Sequence, residues 1–148
     1  MEKKSLIGLL PSDIYSWLET EGEPVFRARQ IFQWIYGKKT DSFLEMSNLP
    51  LTLREKLAHT FSLGNSQIEE IQKSKDGTVK FLIRFLPQDT VEVVFIPHRD
   101  HRTLCLSTQV GCPAGCTFCA TGLSGFRRNL TYQEIVEELW VVEKETGM

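Results

Sequence analysis

The sequence predicts an α+β chain: a helical segment, a small antiparallel sheet, and then the first β/α unit of a partial barrel. Three observations predict it. Apolar residues recur at helical spacing through the first third. Past Gly64 the period changes to strict alternation around an Asp76-Gly77 turn. From Thr103 a strand pattern, a cysteine-bearing loop and an amphipathic helix follow one another.

Composition bounds the rest. With 148 residues, 41% of them hydrophobic, the chain can bury a real core as one domain or two small ones. No apolar run approaches the roughly 20 residues that span a membrane, so a cytoplasmic protein without membrane partners is expected. Met1-Glu-Lys-Lys leads into a short apolar patch, Leu6 to Leu10, that Pro11, Ser12 and Asp13 terminate, which does not resemble a secretory signal. The net charge of −2 argues against a generally cationic coat. Charge is unevenly placed, however. Pro24 to Lys39 holds four cations (Arg27, Arg29, Lys38, Lys39) and no acid, whereas the last twenty residues hold five glutamates and one lysine. A local basic stretch can bind phosphates in an acidic protein, and it can equally be a solvated helix face.

In chain order, Ser12 or Asp13 can cap a first helix through Trp17 and Leu18, ended near Gly22. Pro24 suits the first turn of a second helix that runs to about Tyr36 and is closed by Gly37. Phe26, Ile31, Phe32, Trp34 and Ile35 supply its apolar surface. A third helix, Leu51 to Phe61, follows the Asn48-Leu49-Pro50 break. Strands are expected over Gln67–Lys73 and Thr78–Leu86, with Val79, Phe81, Ile83 and Phe85 on one face and Lys80 and Arg84 on the other. Pro87-Gln88-Asp89 turns the chain into Val91–Ile96. There Glu92 shares a face with Val94 and Ile96, where an acid is unexpected unless the edge is exposed.

Pro97-His-Arg-Asp-His-Arg102 reads as a polar connector into a strand over Thr103–Gln109, whose polar face carries Cys105. The cysteine loop begins at that strand's C-terminal end, where parallel α/β folds place their sites. Thr131-Tyr-Gln-Glu134 is a capping box, and Ile135, Val136, Leu139, Trp140 and Val142 trace an apolar stripe. One β/α unit leaves a strand edge and a helix face uncovered, and a full barrel takes about 200 residues or more. The sequence therefore reads as truncated or as one piece of a larger assembly. The expected boundaries are 1–97 for an N-terminal accessory region (helices 1–63, strands 67–97) and 98–148 for an incomplete core domain.

Cys112, Cys116 and Cys119 stand in C-x3-C-x2-C spacing, with Phe118 directly before the last. Three thiolates on a Gly- and Pro-containing loop can hold three irons of a cubane cluster and leave the fourth open to bind and reduce a ligand. Two alternatives stand beside this. A structural zinc needs a fourth ligand, here Cys105 or a histidine such as His98 or His101. A disulfide is the other, disfavoured in a chain with no secretory signal.

The flanks narrow the choice. Leu104-Cys-Leu-Ser-Thr-Gln-Val-Gly-Cys112, the cluster spacing, and Gly125-Phe-Arg-Arg-Asn-Leu130 resemble the dual-specificity ribosomal-RNA adenine C2 methyltransferases, bacterial enzymes of the radical S-adenosylmethionine (SAM) class. Phe26-Arg-Ala-Arg-Gln-Ile-Phe-Gln-Trp-Ile-Tyr36 and the stretches Met46 to Leu49 and Leu53 to Leu57 are similar to that family's N-terminal RNA-binding domain.

The resemblance implies a [4Fe-4S] cluster on Cys112, Cys116 and Cys119, SAM at its open iron, and Phe118 as a cofactor-contacting residue. It implies 23S ribosomal RNA and transfer RNA as substrates and a low-potential electron donor such as flavodoxin. It makes Cys105 the cysteine that resolves a protein–RNA crosslink by disulfide formation, and Glu92 the base that takes the adenine C2 proton, poised by burial. The family's methyl-carrying cysteine lies near the C-terminus of its full-length members, and all four cysteines of this sequence are already assigned. Activity of this chain by itself is therefore not expected. Two other functions fit part of the pattern: a sibling adenine C8 methyltransferase, and a non-catalytic RNA-binding module with structural zinc.

Overall fold

The computed structural model describes residues 3–85 and 87–147, so Leu86, expected to end the second strand, lies outside the described residues. Helices and strands are mixed, and the chain divides into two compact units, one ending at Asn65 and the other starting at Ser66.

The first unit is helical. α1 (Pro11–Thr20) turns Ile14 and Leu18 inward, one turn apart. It starts at Pro11, whose fixed φ suits the first helical position, so Ser12 and Asp13 sit inside the first turn and neither caps it. α2 (Arg27–Phe32) begins three residues later than Pro24. Pro24, Val25 and Phe26 instead accept tight-turn bonds from the amides of Arg27, Ala28 and Arg29. α2 then widens into a π-helical turn, Gln33–Gly37, and Ala28, Ile31 and Ile35 form its buried stripe. Phe26, expected among the apolar contacts, is largely exposed. α3 (Leu51–Thr60) buries Leu53 and Leu57. Phe61 was expected in that helix but belongs to β2 (Phe61–Ser62), which pairs in parallel with β1 (Lys4–Ser5). The Phe61 ring meets Trp17 edge-on, with centroids 5.2 Å apart.

The second unit is built on a sheet of β3 (Ser66–Lys73), β4 (Val79–Phe85), β5 (Asp89–Pro97) and β6 (Arg102–Cys105), each antiparallel to the next. The Asp76-Gly77 turn joins β3 to β4: Gly77 takes φ +88° and the Asp76 carboxylate accepts the Thr78 amide. Phe81, Ile83, Phe85, Val91 and Val93 line one face, closed by Val142 of α5 (Tyr132–Thr146) with Val110 and Leu130. Each such side chain contributes about 1.5–3 kcal/mol by leaving water. The ladder runs from β5 into β6, so strands 66–97 share a compact unit with the segment that follows them.

The strand expected over Thr103–Gln109 is broken. β6 stops at Cys105, and β7 (Gln109–Gly111) turns away to pair with β8 (Phe126–Asn129), a strand the sequence pattern does not announce. Polar groups of the gap are satisfied off the ladder. The Ser107 amide donates to Glu138 at 3.0 Å, the Ser107 hydroxyl donates to the Glu92 carbonyl at 2.7 Å, and the Leu130 amide donates to the Thr108 carbonyl. Thr131 and Glu134 form the expected capping box on α5. Leu139, placed on the apolar stripe, is partly exposed, while Glu137 and Glu138 are buried.

One charged cluster ties these elements together. Asp89 at the start of β5 meets Arg127 at 3.0 Å and Arg128 at 2.6 Å, and Arg128 grips both oxygens of Glu134 at 2.9 Å. Asp89→Ala is expected to cost about 2–3 kcal/mol, because it strips buried charge-assisted bonds from Arg128. The urea midpoint should fall with the slope of the transition unchanged.

Candidate functional site

β7 and β8 clasp the two ends of the cysteine loop. The Cys112 amide donates to the Gly125 carbonyl at 3.2 Å. Gly111 has φ +75°, and a Cβ there would lie 1.7 Å from the Gly125 oxygen, so only glycine allows the two strands to approach. Inside the clasp the Cys119 amide donates to the Cys116 carbonyl, and Cys119 precedes the short helix α4 (Ala120–Leu123). A Cβ on Gly122 would press on the Cys116 backbone at 3.1 Å, so α4 lies directly against the loop.

Cys112, Cys116 and Cys119 are half-buried and free of disulfides. Among the described residues no three metal-ligating side chains already converge. The donor set nevertheless fits an iron–sulfur cluster, since one loop carries three uncommitted thiols. Phe118 is 92% exposed at its rim. Neither His98 nor His101 joins the cysteines, and their rings stack on each other instead.

Glu92 and Cys105 do come together. On the sheet face away from the core, both line a cleft of about 500 Å³. Its walls include Gly111 and Ala120, which flank the cysteine loop, together with Gln109 and Arg127. Strand alternation puts them there: Val91 and Val93 face the core, so Glu92 and Val94 face outward, and Val94 pairs with Cys105. The expectation of a buried Glu92 is corrected. Its side chain is 50% exposed and ion-paired to Lys80 at 3.1 Å, because the outer face of this sheet is open to solvent.

Sequence reading missed the residue beneath the cleft. Glu138 is fully buried; Oε2 accepts the Ser107 amide, and Oε1 has no partner. Burial chiefly, with the nearby Glu134 charge, pushes its pKa up to about 8 against the pull of the Ser107 bond. The signal was present, since Glu138 shares a helical face with Ile135 and Val142 at i−3 and i+4. Its neighbour Glu137, also buried, accepts the Ser66 amide.

In the helical unit the four cations separate. Arg27 is committed to Gln30 and the Asn48 carbonyl, and Lys39 takes φ +50° in the turn after the π-helical segment. Arg29 and Lys38 are exposed, and Lys38 lies 3.5 Å over the Trp34 ring.

Residues 4–63 match the family model described as the ribosomal RNA large subunit methyltransferase N-terminal domain. The chain is 44% identical to the probable dual-specificity RNA methyltransferase RlmN of Lysinibacillus sphaericus, over 96% of this chain and 37% of that protein. It is 43% identical to the Staphylococcus carnosus protein of the same name, over 97% of this chain and 39% of that one. A crystal structure of a radical SAM methyltransferase from Sphaerobacter thermophilus superposes with a TM-score of 0.86 at 36% identity, covering 98% of this chain and 44% of its own. The chain thus spans about two fifths of the length of the curated relatives it matches.

Glu138 generates a pH prediction. A carboxyl whose folded pKa is raised binds its proton more tightly in the native state, so it favours folding below its unfolded value and loses that contribution as pH rises through the folded value. Wild-type stability should therefore fall between pH 4.5 and about 8 relative to Glu138→Gln. Urea titrations across that range should give two curves that diverge; parallel curves would mean Glu138 is already ionised in the fold.

Proposed function

From this homology to the RlmN RNA methyltransferases, we propose that the chain is the RNA-docking and cluster-bearing part of a radical-SAM enzyme that methylates adenine C2 in 23S ribosomal RNA and transfer RNA. The observation that carries the reading is the single cleft in which Glu92 and Cys105 meet both flanks of the cysteine loop. A cleft of that size suits a flipped-out base, and it combines a carboxylate, a thiol and a metal-binding loop.

In this reading Cys112, Cys116 and Cys119 hold a [4Fe-4S] cluster, with SAM at the open iron and Phe118 at the rim of the cofactor. When bound, and fed by a donor such as flavodoxin, the cluster supplies the electron that cleaves SAM. The remaining steps belong to side chains of the cleft. Glu92, ion-paired to Lys80, accepts the adenine C2 proton once carbon has been added there. Cys105 attacks the sulfur of the cysteine that delivered that carbon. A disulfide forms, the S–C bond breaks, and its electron pair passes to the released methyl carbon, which takes a proton. The delivering cysteine is not one of the four assigned here, so the chain by itself does not turn over.

Residues 1–97 act as the accessory region in this account and 98–148 as the opening β/α unit of the barrel. Arg29 and Lys38, both exposed and the second lying over the Trp34 ring, are the best-placed phosphate contacts of the helical unit. Among the described residues no helix is long and apolar enough to cross a membrane, and the place of action proposed is the cytoplasm.

Anaerobic reconstitution should load an oxygen-labile iron–sulfur chromophore onto the chain. Replacement of Cys112, Cys116 or Cys119 by Ala should abolish it, and Cys105→Ala should retain it. Zinc without sulfide, or loss of iron in Cys105→Ala, would favour the zinc-stabilised module instead.

The catalytic pair is tested by joining this chain to the barrel of a complete relative. Cys105→Ala and Glu92→Gln should each consume SAM yet accumulate RNA crosslinked to protein on a denaturing gel, because the adduct forms and is not released. Normal turnover in either variant removes that residue from the chemistry, and methylation at adenine C8 in the unmutated fusion removes the C2 assignment.

A further inference from the structure

We propose that the hairpin tip joining β5 to β6, residues 98–102, is a second RNA contact that grips phosphate and stacks on an unpaired base. The proposal rests on the RNA-acting reading above and names a surface separate from the cations of the helical unit.

Pro97 pairs with Arg102 across the ladder, and the His98 amide donates to the His101 carbonyl at 2.9 Å, so the tip is a tight, fixed reversal. All five residues from His98 to Arg102 are exposed. Its order comes from the two imidazoles, stacked with centroids 4.2 Å apart and planes 14° from parallel, and from Asp100, which holds His101 Nδ1 at 2.8 Å. Among the described residues Arg99 and Arg102 form no ion pair. Two exposed arginines thus share the tip with an aromatic stack.

That combination selects its partner. Guanidinium forks match phosphate oxygens bidentately. The outer face of a paired imidazole stack offers a platform to a splayed base, the usual way in which single-stranded RNA is held. A metal ion is a poorer fit. Rings in nearly parallel planes do not aim their lone pairs at one point, and one of the four nitrogens is already taken by Asp100.

Position adds to the argument. His98 lies six positions beyond Glu92, just past the end of β5, roughly 20 Å at about 3.3 Å per residue. An RNA whose target base enters the cleft would therefore lay a neighbouring stretch of its backbone against the tip. The tip would set the approach of the strand without touching the reacting base.

The test uses the intact chain and a fluorescent RNA stem-loop with unpaired adenines in its loop, titrated by anisotropy across a salt series. Replacing Arg99 and Arg102 together by Ala should weaken binding and make the log–log salt dependence shallower by about 1.5, as two phosphate contacts are lost. Replacing both by Lys should restore the slope. Replacing His98 and His101 by Ala should weaken binding about tenfold with the slope kept, as expected for a lost stacking surface. Lys75→Ala, in the β3–β4 turn, should leave the slope unchanged.

An unchanged slope in the double Arg→Ala variant overturns the proposal while leaving the RNA reading intact. So does an equal loss in Lys75→Ala, which would make the effect one of net charge. Failure of the unmutated chain to bind the stem-loop at any salt would remove both.

Discussion

The second unit depends on Arg128. From β8, its guanidinium joins the start of β5, through Asp89, to the N-terminus of α5, through Glu134. Glu134 also closes the capping box with Thr131, so one carboxylate both terminates a helix and receives a fork of hydrogen bonds. The titration shifts record the strength of the coupling. Hydrogen bonds donated to Glu134 above all, then to Asp89, raise Arg128 further above its already high pKa, against the cost of burial. Burial acts to raise Glu134, yet the Arg128 bonds and the Thr131 amide carry its pKa below the ordinary value. Because β8 also pairs with β7, this cluster fixes the clasp around the cysteine loop.

A two-faced sheet does the rest. Its inner face is spent on Phe81, Ile83, Phe85, Val91 and Val93, which α5 covers. Period-two alternation then obliges Glu92 outward, and pairing of Val94 with Cys105 brings the thiol to the same side. A one-residue slip in register would send Glu92 into the core and Val93 into water, so hydrophobic burial on one face fixes which side chains stand on the other. The outward side chains Glu92 and Cys105 consequently line one cleft, with a carboxylate and a thiol on the same wall.

What the sequence revealed, and what it hid, follows the range of the interactions. The α5 capping box and the Asp76-Gly77 turn are local and stood where the residues put them. The β4 alternation was equally legible, because every core position repeats. Pairing of two-residue strands across the helical unit, Lys4 with Phe61, carries no local pattern. The break after Cys105 also had a distant cause, since a helical carboxylate from Glu138 captures the Ser107 amide. The spacing of Cys112, Cys116 and Cys119 is likewise local, and all three fall on the one loop between β7 and α4. The contact of Glu92 with Lys80 is not local, because it depends on β4–β5 register.

Glu138 shows why such a distant cause is tolerated. A fully buried carboxylate with one oxygen unpartnered opposes folding when it is charged, and the protein meets that cost by holding it protonated near neutral pH. In return the carboxyl takes the Ser107 amide two residues past the end of β6, and the Ser107 hydroxyl donates to the Glu92 carbonyl. A continuous strand would have kept β6 beside β5 to the end and left no gap between them and β7. The cleft lies over that gap, lined by Leu106, Ser107 and Gln109 as well as by Glu92 and Cys105. The gap beneath the cleft therefore traces to a polar group where the helix stripe calls for an apolar one.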